Sequence, residues 1–134
     1  MLFRSEFVPF SPLGRGYLTG KIQSLAELAE SDFRQHDPRF VGENFQKNLR
    51  ILEVVKQIAT ETAAAPSQIA LAWLSYQGND VVPIPGTKRM QYLEENIAAT
   101  RVQLTPAQLD RLNSLAQITS GPRYNEMNMT RVER

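Results

Sequence analysis

Pro83-Ile84-Pro85-Gly86-Thr87-Lys88-Arg89-Met90-Gln91-Tyr92-Leu93-Glu94-Glu95-Asn96 carries the clearest signature of how this chain folds. The Asp80-Val81-Val82 run before it is short and β-branched, which predicts a strand. Pro85-Gly86-Thr87 breaks that strand into a turn, and Leu93, Ile97 and Thr100 then recur at helical spacing. A helix entered from a tight turn presents unpaired backbone N–H groups and the positive end of its dipole, and Lys88 and Arg89 add full charges beside them. Strand, turn and helix in this order suit a bound anion. A merely solvated basic turn would carry the same residues, and Gly-Thr-Lys-Arg alone does not separate the two.

A chain of 134 residues with 42% apolar content can form one domain with a packed core. Its net charge of +1, from 15 basic and 14 acidic side chains, provides no broad field for nucleic acid or a membrane surface, so any anion must be held locally. The chain has no cysteine, which excludes disulfides and thiolate metal sites, and the lone His36 has no partner at metal-ligand spacing. No apolar stretch approaches the roughly 18 residues that span a bilayer, and the N-terminal residues lack the apolar core of a signal peptide. The expectation is a cytoplasmic, metal-free protein.

A second loop of the same kind lies near the N-terminus. Phe7-Val8-Pro9-Phe10 has the length and character of a strand and runs into Ser11-Pro12-Leu13-Gly14-Arg15-Gly16-Tyr17-Leu18-Thr19-Gly20, which is rich in glycine and carries a hydroxyl and a cation. Taken alone it is an ordinary strand-exit loop. If residues 7–10 and 81–84 are neighbouring parallel strands, however, both loops leave the sheet on one side and form a cleft, with Ser11 and Thr87 close together. Residues 21–42 hold a short helical segment, Leu25–Ala29, followed by an aperiodic run suited to packing over a site. His36 belongs to that run, and its setting fits a solvated or capping side chain better than a catalytic base.

Helical periodicity covers residues 43–62, through Phe45, Leu49, Leu52, Val55 and Ala59. It resumes at 67–77 after Pro66, where Ala65 supplies no side-chain cap, and again after Thr105-Pro106-Ala107-Gln108, a capping box with proline at the first helical position. Residues 118–134 read as a surface tail. Strand–loop–helix units of this kind build α/β folds, in which ligands sit at the carboxyl ends of the strands. A complete (β/α)8 barrel needs about 250 residues, so this chain holds about half of one.

Three segments, Val8 to Gly20, Pro66 to Leu74 and Pro83 to Asn96, resemble the aldo-keto reductase family in order and spacing. The resemblance implies an α/β fold, the C-terminal part of a (β/α)8 TIM barrel with strands 7 and 8 and their helices, and makes residues 1–134 a single partial domain. It implies NADP(H) as cofactor and, in the complete barrel, reversible reduction of aldehydes and ketones to alcohols. Carried over by position, Ser11, Pro12, Leu13, Gly14 and Arg15 would lie across the pyrophosphate, Gly86, Thr87 and Lys88 would meet the adenosine 2′-phosphate, and Glu95 and Asn96 would reach the adenine. Tyr92 departs from the Arg or Gln common four residues before the asparagine, which bears on the choice between NADPH and NADH.

Nothing in the chain matches the family's Asp, Tyr, Lys and His tetrad; Tyr17, Tyr76, Tyr92 and Tyr124 do not occupy its motif. The expectation is a fragment with half a cofactor site and no catalysis unaided. Its partners would be a nicotinamide dinucleotide and a complementary N-terminal half-barrel. The alternative is a non-catalytic, oligomerising or nucleotide-binding module, in which a second copy covers the broken sheet.

Overall fold

The computed structural model describes residues 6–130. Among them are the helices α1 (Gly42–Glu61), α2 (Pro66–Ser75), α3 (Met90–Ala98), α4 (Pro106–Ile118) and the short α5 (Glu126–Met129). Short 3-10 turns at Leu25–Glu27, Phe33–His36 and Ala99–Arg101, and a stretch at Gly14–Thr19 kinked at Arg15 and Gly16, occupy the connections.

The helix boundaries follow from local chemistry. At α4 the capping box is complete: Gln108 N–H donates to Thr105 Oγ1 at 3.3 Å and Thr105 N–H donates to Gln108 Oε1 at 3.0 Å. At α2 only half of that arrangement exists, because Ala65 has no acceptor; its own N–H donates to Gln68 Oε1 at 2.9 Å. Between α1 and α2 the chain reverses through Ala63, whose φ of 51° is left-handed. Ala64 N–H donates to the Ala59 carbonyl at 2.9 Å and Ala63 N–H to that of Thr60 at 3.3 Å, the closing bonds of a Schellman turn. Glycine is the usual residue at that position; the sequence marks the break through Pro66, not the left-handed alanine that makes it.

Burial of apolar stripes joins α1, α2 and α4. Val55, Ile58 and Ala59 meet Ile69 and Ala72 from α2 and Leu112 and Leu115 from α4, with Leu104 beneath them. Ile58 and Ile69 are 0% exposed, so each contributes on the order of 1.5–3 kcal/mol of apolar transfer. A second cluster fastens the long loop to α1: Tyr17, Ile22 and Phe40 pack on Phe45 and Leu52. The Tyr17 ring stands edge-on to Phe40 and Phe45, with centroids 5.6 and 5.9 Å apart. Burial pushes the Tyr17 hydroxyl pKa upward, with the Glu53 charge adding to the effect.

Only single bridges represent the predicted strands. Phe7 pairs with Val81 and Phe10 with Ile84, both in parallel. Phe7 N–H donates to the Asp80 carbonyl at 2.8 Å, and Val82 N–H to that of Phe7 at 2.9 Å. The parallel sense sends both C-terminal loops out on one side. The flanks of this pair stay open: Phe7, Phe10 and Ile84 are 63%, 50% and 52% exposed. Leu93 and Ile97, the predicted stripe of α3, are also exposed, and α3 buries no residue among those described.

The segment after α4 folds back onto α1 through Asn48, a polar residue set in the apolar stripe. Its Nδ2 donates to the carbonyls of Arg39 at 3.1 Å and Ser120 at 2.9 Å, while its Oδ1 accepts from Ser120 N–H at 2.8 Å. Arg39 Nε donates to the Gly121 carbonyl at 3.2 Å.

Left-handed backbone costs a side chain about 1–2 kcal/mol, which glycine escapes while adding freedom to the unfolded chain. Ala63→Gly is therefore expected to raise unfolding stability by about 0.5–1 kcal/mol in urea denaturation, whereas an exposed interior helical Ala→Gly change would lower it by a similar amount.

Candidate functional site

A cleft of 340 Å³ opens between the two strand-exit loops. Ser11, Pro12, Leu13, Arg15, Gly16, Thr19 and Lys21 line one wall, and Pro85, Gly86, Tyr92, Glu95 and Asn96 the other. Its volume lies in the range of small-molecule sites.

The first wall is shaped by a backbone that side chains rarely adopt. Ser11 and Arg15 have φ of 49° and 58°, positive values held by the surrounding structure. Gly20 closes the loop at φ 72°, a left-handed conformation that favours glycine. Thr19 Oγ1 donates to the Gly16 carbonyl at 2.6 Å. Arg34 ties the loop from outside by donating from Nη1 to the Arg15 carbonyl at 3.1 Å. Asp32 holds Arg34 in place with two further hydrogen bonds, from Nε at 2.9 Å and Nη2 at 2.6 Å. Those bonds lower the Asp32 pKa to about 2.

The second wall is the turn into α3. Thr87 Oγ1 donates to the Arg89 carbonyl at 3.2 Å and accepts from Arg89 N–H at 3.3 Å, so the hydroxyl closes its own turn. No side chain caps α3, which leaves the positive end of its dipole at this turn. Gly86, Thr87, Lys88, Arg89 and Tyr92 border an open depression next to the cleft, with Gly86 and Tyr92 common to both. Lys21 Nζ lies 3.9 Å from the Tyr92 ring centroid, and the Arg89 guanidinium 5.6 Å from it. The Lys21 hydrogen bond and charge lower the Tyr92 hydroxyl pKa. Glu95 is fastened to α2: its Oε1 accepts from Ser67 Oγ, and its carbonyl accepts from Gln68 Nε2 at 3.0 Å.

Of the residues singled out from the sequence, Ser11, Pro12, Leu13, Arg15, Gly86, Glu95 and Asn96 line the one cleft. Thr87 and Lys88 border the adjoining depression, at the uncapped end of α3. Gly14 lies on the far side of its loop, in cavities shared with Arg39 and Arg123. The Arg15 guanidinium turns to the buried carboxylate of Asp37, with which it forms an ion pair. Sequence reasoning missed Lys21. Its signal was weak: a single cation one residue beyond the last glycine of the loop. Hydroxyls, backbone amides and cations around Tyr92 make a lining suited to an anionic ligand with a planar ring.

Residues 5–117 match the model of the Aldo/keto reductase family. The chain is 50% identical over 100 residues to the aldo-keto reductase yakc [NADP(+)] of Schizosaccharomyces pombe, covering 75% of this chain and 29% of that protein. It is 40% identical over 115 residues to the aldo-keto reductase str7 of Strobilurus tenacellus, covering 86% of this chain and 34% of that protein. In structure it is similar to the thermostable aldo-keto reductase Tm1743, solved with the inhibitor epalrestat, with a TM-score of 0.54, 29% identity, and coverage of 81% of this chain and 28% of that one. The fold is also shared with the glycerol dehydrogenase AKR11B4 of Gluconobacter oxydans, at a TM-score of 0.72, 24% identity, and coverage of 84% and 35%. The chain belongs to the aldo/keto reductase family. It spans about a third of the length of the curated relatives it matches.

Proposed function

We propose that this chain is the C-terminal, NADP(H)-binding part of an aldo-keto reductase barrel, and that segments 7–10 and 81–84 are the barrel's last two strands. The observation that carries the proposal is the shared cleft: parallel bridges set two loops side by side, and both line one 340 Å³ space. A dinucleotide demands donors for its pyrophosphate, a cation for the 2′-phosphate and a surface for the adenine. Ser11 and the amides of its loop supply the first, and Lys88 with the uncapped start of α3 the second. Tyr92, Glu95 and Asn96 supply the third. The residues therefore fit the cofactor, which when bound supplies a hydride for carbonyl reduction.

In this reading the chain's own residues bind and orient. Lys21, held over Tyr92, adds positive charge near the phosphates. Ser67 and Gln68 fix Glu95, so that the adenine wall moves with the helical core. No residue here takes the tetrad's place as proton donor, so the chain alone is catalytically inactive, and the complete cytoplasmic enzyme reduces an aldehyde or ketone. Support for a missing part comes from the open strand flanks: Phe7, Phe10 and Ile84 carry apolar surface where a barrel would have neighbours.

Lys88→Ala is expected to weaken NADPH binding about tenfold, the equivalent of one lost charge-assisted contact, and to leave NADH binding nearly unchanged. Fluorescence titration of the two nucleotides measures this; equal losses would remove Lys88 from the 2′-phosphate. The same open flank favours self-association when the upstream half is absent. Sedimentation equilibrium is expected to give a dimer or larger species that Phe7→Glu/Phe10→Glu returns to monomer, while a monomeric parent chain would refute self-association.

A further inference from the structure

Behind the Ser11 loop, away from Tyr92, three arginines converge on a second cavity. Arg15, Arg39 and Arg123 line a space of 60 Å³ together with Ser11, Gly14, Asp37 and Phe40. That is room for a few waters or one small oxyanion. Each guanidinium comes from a different segment: the strand-exit loop, the residue 32–40 connection, and the chain after α4.

Each is also anchored. Arg15 pairs with Asp37, Arg39 Nε donates to the Gly121 carbonyl at 3.2 Å, and Arg123 Nη2 donates to the Phe10 carbonyl at 3.0 Å. The Tyr124 ring lies between two of them, with centroid distances of 5.0 Å to Arg15 and 5.9 Å to Arg123, and Arg123 also lies 4.3 Å over the Phe10 ring. Anchoring through one nitrogen leaves donors on the rest of a planar group that has five N–H bonds in all. Asp37 is the one carboxylate in this lining, and its Oδ1 already accepts from Arg39 N–H at 3.0 Å. Three cations against one anion leave the cavity strongly positive. Burial, with the charges of Arg123 and Arg15, lowers the Arg39 pKa.

Like-charged side chains gathered in a partly closed space are stabilised by an anion that bridges them. We propose that Arg15, Arg39 and Arg123 form an oxyanion site for the carboxylate or phosphate group of a small molecule, on the opposite side of the loop from the dinucleotide cleft, with Ser11 and Arg15 in the wall between the two. Arg39 and Arg123 meet the oxyanion directly. Arg15, balanced by Asp37, sets the potential of the cavity. Because the site depends on the return of residues 121–124 to the loop, its occupation also binds the chain after α4 to the cofactor loop.

Thermal unfolding of the full chain with sodium phosphate or with sodium malonate, each compared with chloride at matched ionic strength, tests the proposal. At about ten times its Kd, an oxyanion bound only to the folded state is expected to raise Tm by about 4 °C. A shift with phosphate alone assigns a phosphate-bearing ligand, and one with malonate alone a carboxylate. Arg39→Gln should abolish the shift while leaving the NADPH titration unchanged, and Arg123→Gln, at an exposed position, should abolish it independently. The proposal is overturned if neither oxyanion exceeds chloride, if the shift survives both substitutions, or if saturating NADPH removes it from the parent chain, since the anion would then occupy the dinucleotide cleft.

Discussion

A few backbone hydrogen bonds between segments far apart in sequence organise the site. Phe7 N–H reaches the Asp80 carbonyl at 2.8 Å and Val82 N–H reaches that of Phe7 at 2.9 Å. These bonds set the register in which Phe10 faces Ile84, and so bring the residues after Phe10 level with those after Ile84. A slip by one residue would turn alternate side chains to the opposite face and carry Ser11 out of line with Gly86. Everything attributed to the cleft follows from this register.

So short a pairing does not hold itself together. A two-stranded sheet is marginal in water, and a parallel one needs cover on its faces. Here Phe7, Val8, Phe10, Val82 and Ile84 all stay substantially exposed, and support comes through the adjoining loop and helices. The α1–α2–α4 core, with Ile58 and Ile69 fully enclosed, supplies a rigid helical layer, and the Tyr17–Phe40–Phe45 cluster clamps the first loop to it. The flank with Phe7 and Ile84 stays open to solvent. On the proposed barrel reading, that open flank is the surface on which further strands would be added.

How much of this was legible in the sequence depends on the range of the interactions involved. The helices were readable because their signals are local. The Thr105–Gln108 box and the period of Phe45, Leu52 and Val55 each lie within a few turns of chain. Ala63 was not, since a left-handed alanine carries no compositional mark. The stripe Leu93–Ile97 was read correctly as helical, but its burial depends on neighbours that the described residues do not provide. Both walls of the cleft were found through glycine, proline and basic residues in turns. The direction of the Arg15 side chain was hidden because it is set by Asp37, a carboxylate in an aperiodic stretch with nothing to mark it as a partner. Asn48 escaped for the same reason: a polar residue on an apolar stripe looks like an interruption until the carbonyls it serves, those of Arg39 and Ser120, are seen beside it.

The central claim is that two loops, one after Phe10 and one after Ile84, hold a single nucleotide between them. Two-dimensional amide NMR of the chain during an NADPH titration tests this most directly. If one nucleotide bridges both loops, the Ser11, Leu13, Gly86 and Lys88 amides shift together along one saturation curve. Shifts confined to one loop, or two loops saturating with different Kd values, would contradict it.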